Sequence, residues 1–398
     1  PKFSYRFFPP RLARMATPVT MTAKKAPGTI RIFIFGESAA LGDPRPAYGM
    51  GRYLQALLEE RHPETQFEVI CVAMTAINSH AILPIARECA RHQGDLWVIY
   101  MGNNEMVGPF GAATVFGRQV PSLISIRLTL ALKSTRLGQA LASWVGKWRR
   151  TSSGLWSGMS MFAEQQVATG DPRRQVAYRH FARNLDDILR VAGKAGGPIV
   201  LSTVASNLRD CAPFASVQAP TLTPASKAEV NALCQSAAAN EAAGRFETAL
   251  AEYRRAQALD AAFAEIDFRI GQCLLRQTNT AEARKALAQA RDADALPFRA
   301  DSTINRLIRE GAARHQDRNL HMVDADEILQ REAADRVPGA EFFFEHVHFS
   351  FTGNYRMARA LAEAIEPHLP FTVAGGRTGA WASQETCERR LGLTDWNR

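Results

Sequence analysis

A three-layer α/β/α fold on a parallel five-stranded sheet, with an all-helical unit inserted late in the chain, is the architecture this sequence predicts. Two observations carry the prediction. Short apolar runs alternate with amphipathic stretches over most of the 398 residues, the pattern of βαβ units whose sheet is covered on both faces. An Ala-rich stretch at 232–293 breaks that alternation and repeats on itself.

Taken in order, residues 1–27 are rich in Pro, Phe, Arg and Lys without a clear period and read as an N-terminal arm. The apolar run 29–35 predicts a buried first strand that ends on Gly36-Glu37-Ser38. Further strands are expected at 67–73, 96–101, 198–204 and 319–324. Helical patterns fall between them at 47–61, 81–92 and 174–195, and a last one at 351–365. The resulting organisation is an arm at 1–27, the first part of the sheet domain at 28–224, the helical insertion at 225–297, the second part at 298–370 and a C-terminal extension at 371–398. In open parallel sheets, ligands bind beyond the carboxyl ends of the strands. Ser38, Asn104 and the segment 73–78 are expected there.

Composition is that of an ordinary globular chain, 46% hydrophobic and 22% charged. No apolar run approaches the roughly 18 residues of a membrane span. The chain opens on Pro1 rather than Met, so a preceding segment is expected, and a signal peptide or anchor there stays open. The compartment is left open with it, between a bacterial cell envelope and the cytoplasm. The net charge of +9 raises nucleic acid as a partner. No Lys/Arg run is interleaved with aromatics as in single-strand binders, and no nucleic-acid partner is expected. Local basic stretches occur at 11–25 and 127–150. The six cysteines, Cys71, Cys89, Cys211, Cys234, Cys273 and Cys387, show no metal-type spacing.

Two stretches depart from the βα alternation. Residues 109–172 contain an apolar run at 120–133 followed by a basic amphipathic stretch to Arg150. This segment reads as a helical lid or core, with contact to a membrane surface through 120–150 as the alternative. Within 232–293, Ala237 pairs with Gly271, Ala249 with Ala283, Tyr253 with Leu287 and Ala256 with Ala290 at a period of 34. That is the tetratricopeptide period, with small residues where helices approach closely. A protein partner on these helices is the corresponding expectation.

The chemistry is carried by three short segments. Ser38 follows a strand directly, so its hydroxyl can project at the top of the sheet. Gly102-Asn103-Asn104-Glu105 follows the third strand, and Asn104 can offer its side-chain amide to a developing oxyanion. Glu345-His346-Val347-His348 precedes the last helix. A carboxylate three residues before a histidine can hold the far ring nitrogen and fix the tautomer.

In this order the three segments resemble blocks of the SGNH (GDSL) hydrolase family, and more closely bacterial GDSL-type proteins that carry tetratricopeptide repeats. The resemblance covers about 29–106, 198–210 and 320–367. It implies an SGNH-type, flavodoxin-like sheet and a serine esterase or acyl-transferring enzyme needing neither metal nor cofactor. It implies Ser38 as nucleophile, His348 as base, Glu345 as the residue orienting it, and an oxyanion hole of Ser38, Ala76 and Asn104. Three positions depart from the family pattern: Glu37 and Glu345 stand where Asp is usual, and Ala76 where glycine is usual. The substrate implied is an ester, and the acyl acceptor is water, a sugar or another hydroxyl. Two other accounts stand beside this one, a repeat scaffold with an inactive sheet domain and a metal site on Glu345, His346 and His348. Under the triad account His346 is expected to face away from Ser38.

Overall fold

Five parallel strands are hydrogen-bonded in the order β2-β1-β3-β4-β5. They are β1 (Ile30–Gly36), β2 (Phe67–Cys71), β3 (Leu96–Tyr100), β4 (Ile199–Ser202) and β5 (Leu320–Val323). This computed structural model describes all residues except 1, 15, 17, 149–157, 317–318 and 371–378. β1 and β3 are central and buried along their whole length, which is why they read as continuous apolar runs rather than alternating ones. Ile32 faces Leu96 and Gly36 faces Tyr100, so the two strands end side by side.

The expected sheet is present, with shorter strands at its edges. β2 stops at Cys71 because only one further ladder bond forms, from Val72 N–H to the Ile34 carbonyl. Beyond it the partner strand turns away at Glu37.

The helices of the sheet domain are α1 (Ser38–Leu41), α2 (Met50–Arg61), α3 (Ser79–Cys89), α4 (Leu123–Leu132), α5 (Arg136–Trp148) and α6 (Pro172–Ala195). α2 follows a crossover from β1 outward to β2, and α3 a crossover back from β2 to β3. Right-handed crossovers in opposite directions place these helices on opposite faces. The N-terminal stretch is not a free arm: Phe7, Phe8 and Leu12 are buried in the main core, and Phe8 meets Phe116 edge to face. A sequence without period hid this, because single aromatic anchors have no spacing to read.

Between β4 and β5 lie α7 (Pro224–Ala242), α8 (Phe246–Leu259), α9 (Ala264–Arg276), α10 (Thr280–Ala293) and α11 (Ser302–Arg314). After β5 come α12 (Ala325–Glu332) and α13 (Phe351–Ile365). α7 pairs with α8 and α9 with α10, and α8 packs on α9. The seam between them is built from Ala237, Ala249, Tyr253, Ala256, Cys273 and Ala283. A Cβ on Gly271 would lie 2.5 Å from Leu287 Cγ, so the approach of α9 to α10 requires glycine there. Gly244 takes a φ of +73° in the α7–α8 turn, a conformation glycine adopts without strain. Leu287 of α10 also packs on Leu208 and Val337, which fastens the four helices to the sheet domain.

Ala249 and Ala283 are fully buried in this seam. Replacing either with Leu is expected to overpack it and destabilise the chain by about 1–3 kcal/mol, read as a lower urea midpoint. Midpoints equal to the parent's in both variants would mean the seam is not close-packed.

Candidate active site

The turn after β1 is set by a shortage of space. A Cβ on Gly36 would lie 2.2 Å from the Tyr100 carbonyl oxygen, so only glycine lets β1 end beside β3. Glu37 then turns inward and is buried. Its carboxylate accepts the backbone N–H groups of Gly102 (3.2 Å), Asn103 (2.8 Å) and Asn104 (3.2 Å). Ser38 follows at the first position of α1, where its N–H has no intrahelical acceptor.

Glu105 is buried next to this turn and accepts from Ser79 N–H (2.7 Å) and Ser79 Oγ (2.8 Å). Burial raises its pKa from the ordinary 4.5 to about 7. Burial, with Glu105 as a like-charged neighbour, also pushes Glu37 well up, against the three N–H groups that favour its ionised form. Two buried carboxylates therefore tie the ends of β1, β3 and the start of α3 together.

Residues 343–349 form a tight reversal closed by an antiparallel bridge between Phe343 and Phe349. It is anchored by Asn207, which follows β4. Asn207 N–H donates to the His346 carbonyl at 2.9 Å, and its side-chain amide donates to the Glu345 carbonyl at 3.0 Å. The Glu345 carboxylate accepts the backbone N–H groups of His346 and His348, each at 2.9 Å. It also contacts Nδ1 of both imidazoles. Among the described residues, His348 Nε2 has no hydrogen-bond partner. Burial shifts both histidines toward the neutral form. His348 and then Arg299 add to this at His346, while the Asp43 carboxylate works against it at His348. With Nδ1–H given to the carboxylate, neutral His348 carries its free lone pair on Nε2.

A cavity of about 100 Å³ lies beyond the carboxyl ends of the strands and is lined by Ser38, Ala76, Asn104 and His348. The residues singled out in the sequence are thus walls of one space, with Glu345 behind His348. Ala76 takes a φ of 62°, so the left-handed backbone usual for glycine is kept with alanine in place. Its N–H enters none of the described backbone hydrogen bonds. His346 departs from expectation: it lines the same cavity, because one carboxylate holds both rings.

The apolar walls escaped the sequence reading. Phe116, Met159 and Phe162 come from the 109–172 insertion, and Phe298 from the linker between α10 and α11. Asn103 Oδ1 pins that linker by accepting Ala300 N–H at 3.1 Å. Arg299, also buried, donates to the carbonyls of Asn207 (3.0 Å) and Cys211 (2.7 Å). The first Asn of the Gly-Asn-Asn turn, Asn103, was the available signal for the pinning; nothing in the pattern marked Phe298. Among the described residues no cluster of His, Cys, Asp and Glu is placed to hold a metal ion.

No protein-family model matches this chain, and no curated protein matches it significantly. Similar solved structures include a GDSL-like lipase from Bacteroides thetaiotaomicron, 10% identical, covering 85% of this chain and 89% of that one, with a TM-score of 0.37. Another is a lipase/acylhydrolase from Enterococcus faecalis, 10% identical, covering 88% of this chain and all (100%) of that one, with a TM-score of 0.38. Likeness at this level says nothing about which reaction this chain performs.

Glu105 gives a pH test of the buried carboxylates. Below pH 4.5 it is protonated whether the chain is folded or not. Between 4.5 and about 7 the unfolded chain has lost the proton and the native chain keeps it, so stability falls as pH rises through that window. At most about 3 kcal/mol is lost this way by neutral pH. Glu105→Gln is expected to flatten this part of the urea-midpoint profile, and a slope identical to the parent's would place the titration on another group.

Proposed function

We propose that this chain is a serine ester hydrolase or acyltransferase of SGNH/GDSL type, acting through an acyl-Ser38 intermediate. The observation that carries the reading is a single one. His348, held at Nδ1 by Glu345 and unpartnered at Nε2, lines the same cavity as Ser38.

Ser38 Oγ attacks the acyl carbonyl as its proton passes to His348 Nε2. The carbonyl oxygen becomes an oxyanion that accepts from the Ser38 and Ala76 N–H groups and the Asn104 amide. The C–O bond to the leaving alcohol then breaks, and His348 returns the proton to that oxygen. Water or a second hydroxyl repeats the sequence on the acyl-serine and frees Ser38. Glu345 keeps the imidazole oriented without taking the proton. Its side chain is 42% exposed, so its role here is orientation more than charge.

A space of about 100 Å³ compares with ~30 Å³ for one water in the liquid. Walls of Phe116, Phe162 and Phe298 make it apolar. Size and polarity together favour a short acyl group such as acetyl. The four helices α7–α10 are read as a tetratricopeptide-like insertion at 225–297. An open groove of about 720 Å³ lined by Arg254, Gln257, Asp267, Gln289 and Asp292 supports a protein partner on that unit.

On p-nitrophenyl esters of increasing length, turnover is expected to be highest for acetate. Ser38→Ala should abolish both turnover and labelling by a fluorophosphonate probe, and His348→Ala should lose nearly as much, since members of one catalytic unit act together. Asn104→Ala should lower kcat by about 10²–10³. A parent that neither labels nor turns over any ester supports the scaffold account. If His346→Ala is inactive and His348→Ala active, the base is His346.

The pH profile makes a separate test. The active base is neutral, and burial holds His348 below its ordinary 6.5. The acid limb of kcat/KM is therefore expected to have its midpoint below pH 6.5, with activity lost as pH falls through it. A midpoint clearly above that value would mean the base is charge-stabilised rather than desolvated.

A further inference from the structure

The charge of this chain is unevenly placed. From Met106 to Ala163 there are seven Lys/Arg and no Asp or Glu, and residues 1–29 add six Lys/Arg, again with no acid. These thirteen exceed the net +9 of the whole chain, leaving the remainder at −4.

The two basic stretches meet in space. Lys2 N–H donates to Gln139 Oε1 at 2.9 Å, the Gln139 amide donates back to the Lys2 carbonyl at 2.9 Å, and Arg6 Nε donates to the Leu130 carbonyl at 3.2 Å. Gln139 and Leu130 belong to α5 and α4, consecutive helices joined at Thr135, whose Oγ1 accepts Gly138 N–H at 3.0 Å.

α4 is held to the body by one face. Ile126 and Leu130 are buried, and Arg127 pairs with Asp187 of α6. Its other face carries Ile124 (81% exposed), Leu128 and Leu132 at intervals of four. α5 continues this with Leu137 (85% exposed), Leu141 and Trp144. Large aliphatic side chains at helical spacing, left in water on a segment that has cations and no acidic residue of its own, are the pattern of a helix that lies in a membrane interface. The helices have 10 and 13 residues, and no helix among the described residues is long and apolar enough to cross a bilayer.

We propose that α4 and α5, together with the N-terminal stretch, form a docking surface for an anionic phospholipid bilayer. Leu and Ile side chains enter the acyl boundary, and Lys2, Lys133 and Arg136 sit at headgroup level. Lipid is favoured over a protein partner because a sheet of negative charge is met by cations spread along both segments, neither of which contains an acidic residue. The proposal goes beyond the ester chemistry and does not depend on it.

The test is co-flotation of the full chain with phosphatidylcholine vesicles, with and without phosphatidylglycerol, at low and high salt. Binding is expected only with phosphatidylglycerol, weakening as salt screens the charge. Leu137→Gln/Leu141→Gln and Lys133→Gln/Arg136→Gln are each expected to reduce the bound fraction by about tenfold. These positions are clear of the cavity, so melting temperature and turnover of a soluble ester should match the parent's. Equal binding by the parent and both variants overturns the proposal, as does a parent that binds no vesicle. A parent that is dimeric in solution, made monomeric by Leu137→Gln/Leu141→Gln, and bound by no vesicle also overturns it, because the stripe is then an interface between copies of this chain.

Discussion

The carboxylate of Glu37 reaches from the end of β1 to the turn after β3 and gathers three successive backbone N–H groups there. The Gly102 and Asn103 N–H groups are buried and that of Asn104 is half-buried, and an unmet buried donor costs about 1–3 kcal/mol. The turn therefore has one arrangement that satisfies it, and that arrangement sets the backbone of Asn104. Because Glu37 immediately precedes Ser38, the same contact fixes how α1 leaves the strand. The relation of Ser38 to Asn104 is thus held by backbone, not by side-chain packing at the cavity. Glu37, with three backbone donors on its carboxylate, is well placed for this role.

Around that contact the architecture follows from restricted space. Gly36 admits no Cβ against Tyr100, Gly102 takes a φ of +147°, and Gly353 would place a Cβ 2.0 Å from the Phe342 carbonyl oxygen. These positions bring three loops together over the sheet ends. The two histidines then share a carboxylate on a reversal that Asn207 anchors from a fourth loop.

Much of this was readable beforehand, and the reasons are physical. Buried parallel strands must be continuous apolar runs, so 29–35 and 96–101 marked the sheet centre within a residue or so. Small residues recurring at a spacing of 34 suit paired helices, and α7–α10 do pack as two pairs. Ser38, Asn104 and His348 stood out because each follows or precedes a regular element. The cavity walls did not stand out. Phe116, Phe162 and Phe298 are single aromatics in irregular segments, and their convergence is a property of chain path rather than of pattern. The same holds for Phe7 and Phe8, and for the side of the reversal on which His346 lies.

Phe298 belongs to a linker that begins where α10 ends and is stapled to Asn103, beside the turn that Glu37 holds. Under the proposed function, a displacement of α10 that carried this linker with it would move one wall of the acyl space. Thermodynamic reciprocity would then couple two ligands that never touch. If a protein seated on the helices tightens or loosens the hold on an acyl group, the acyl-enzyme must change its affinity for that protein by the same factor. The four-helix unit would then sense the stage of the catalytic cycle as well as recruit a partner.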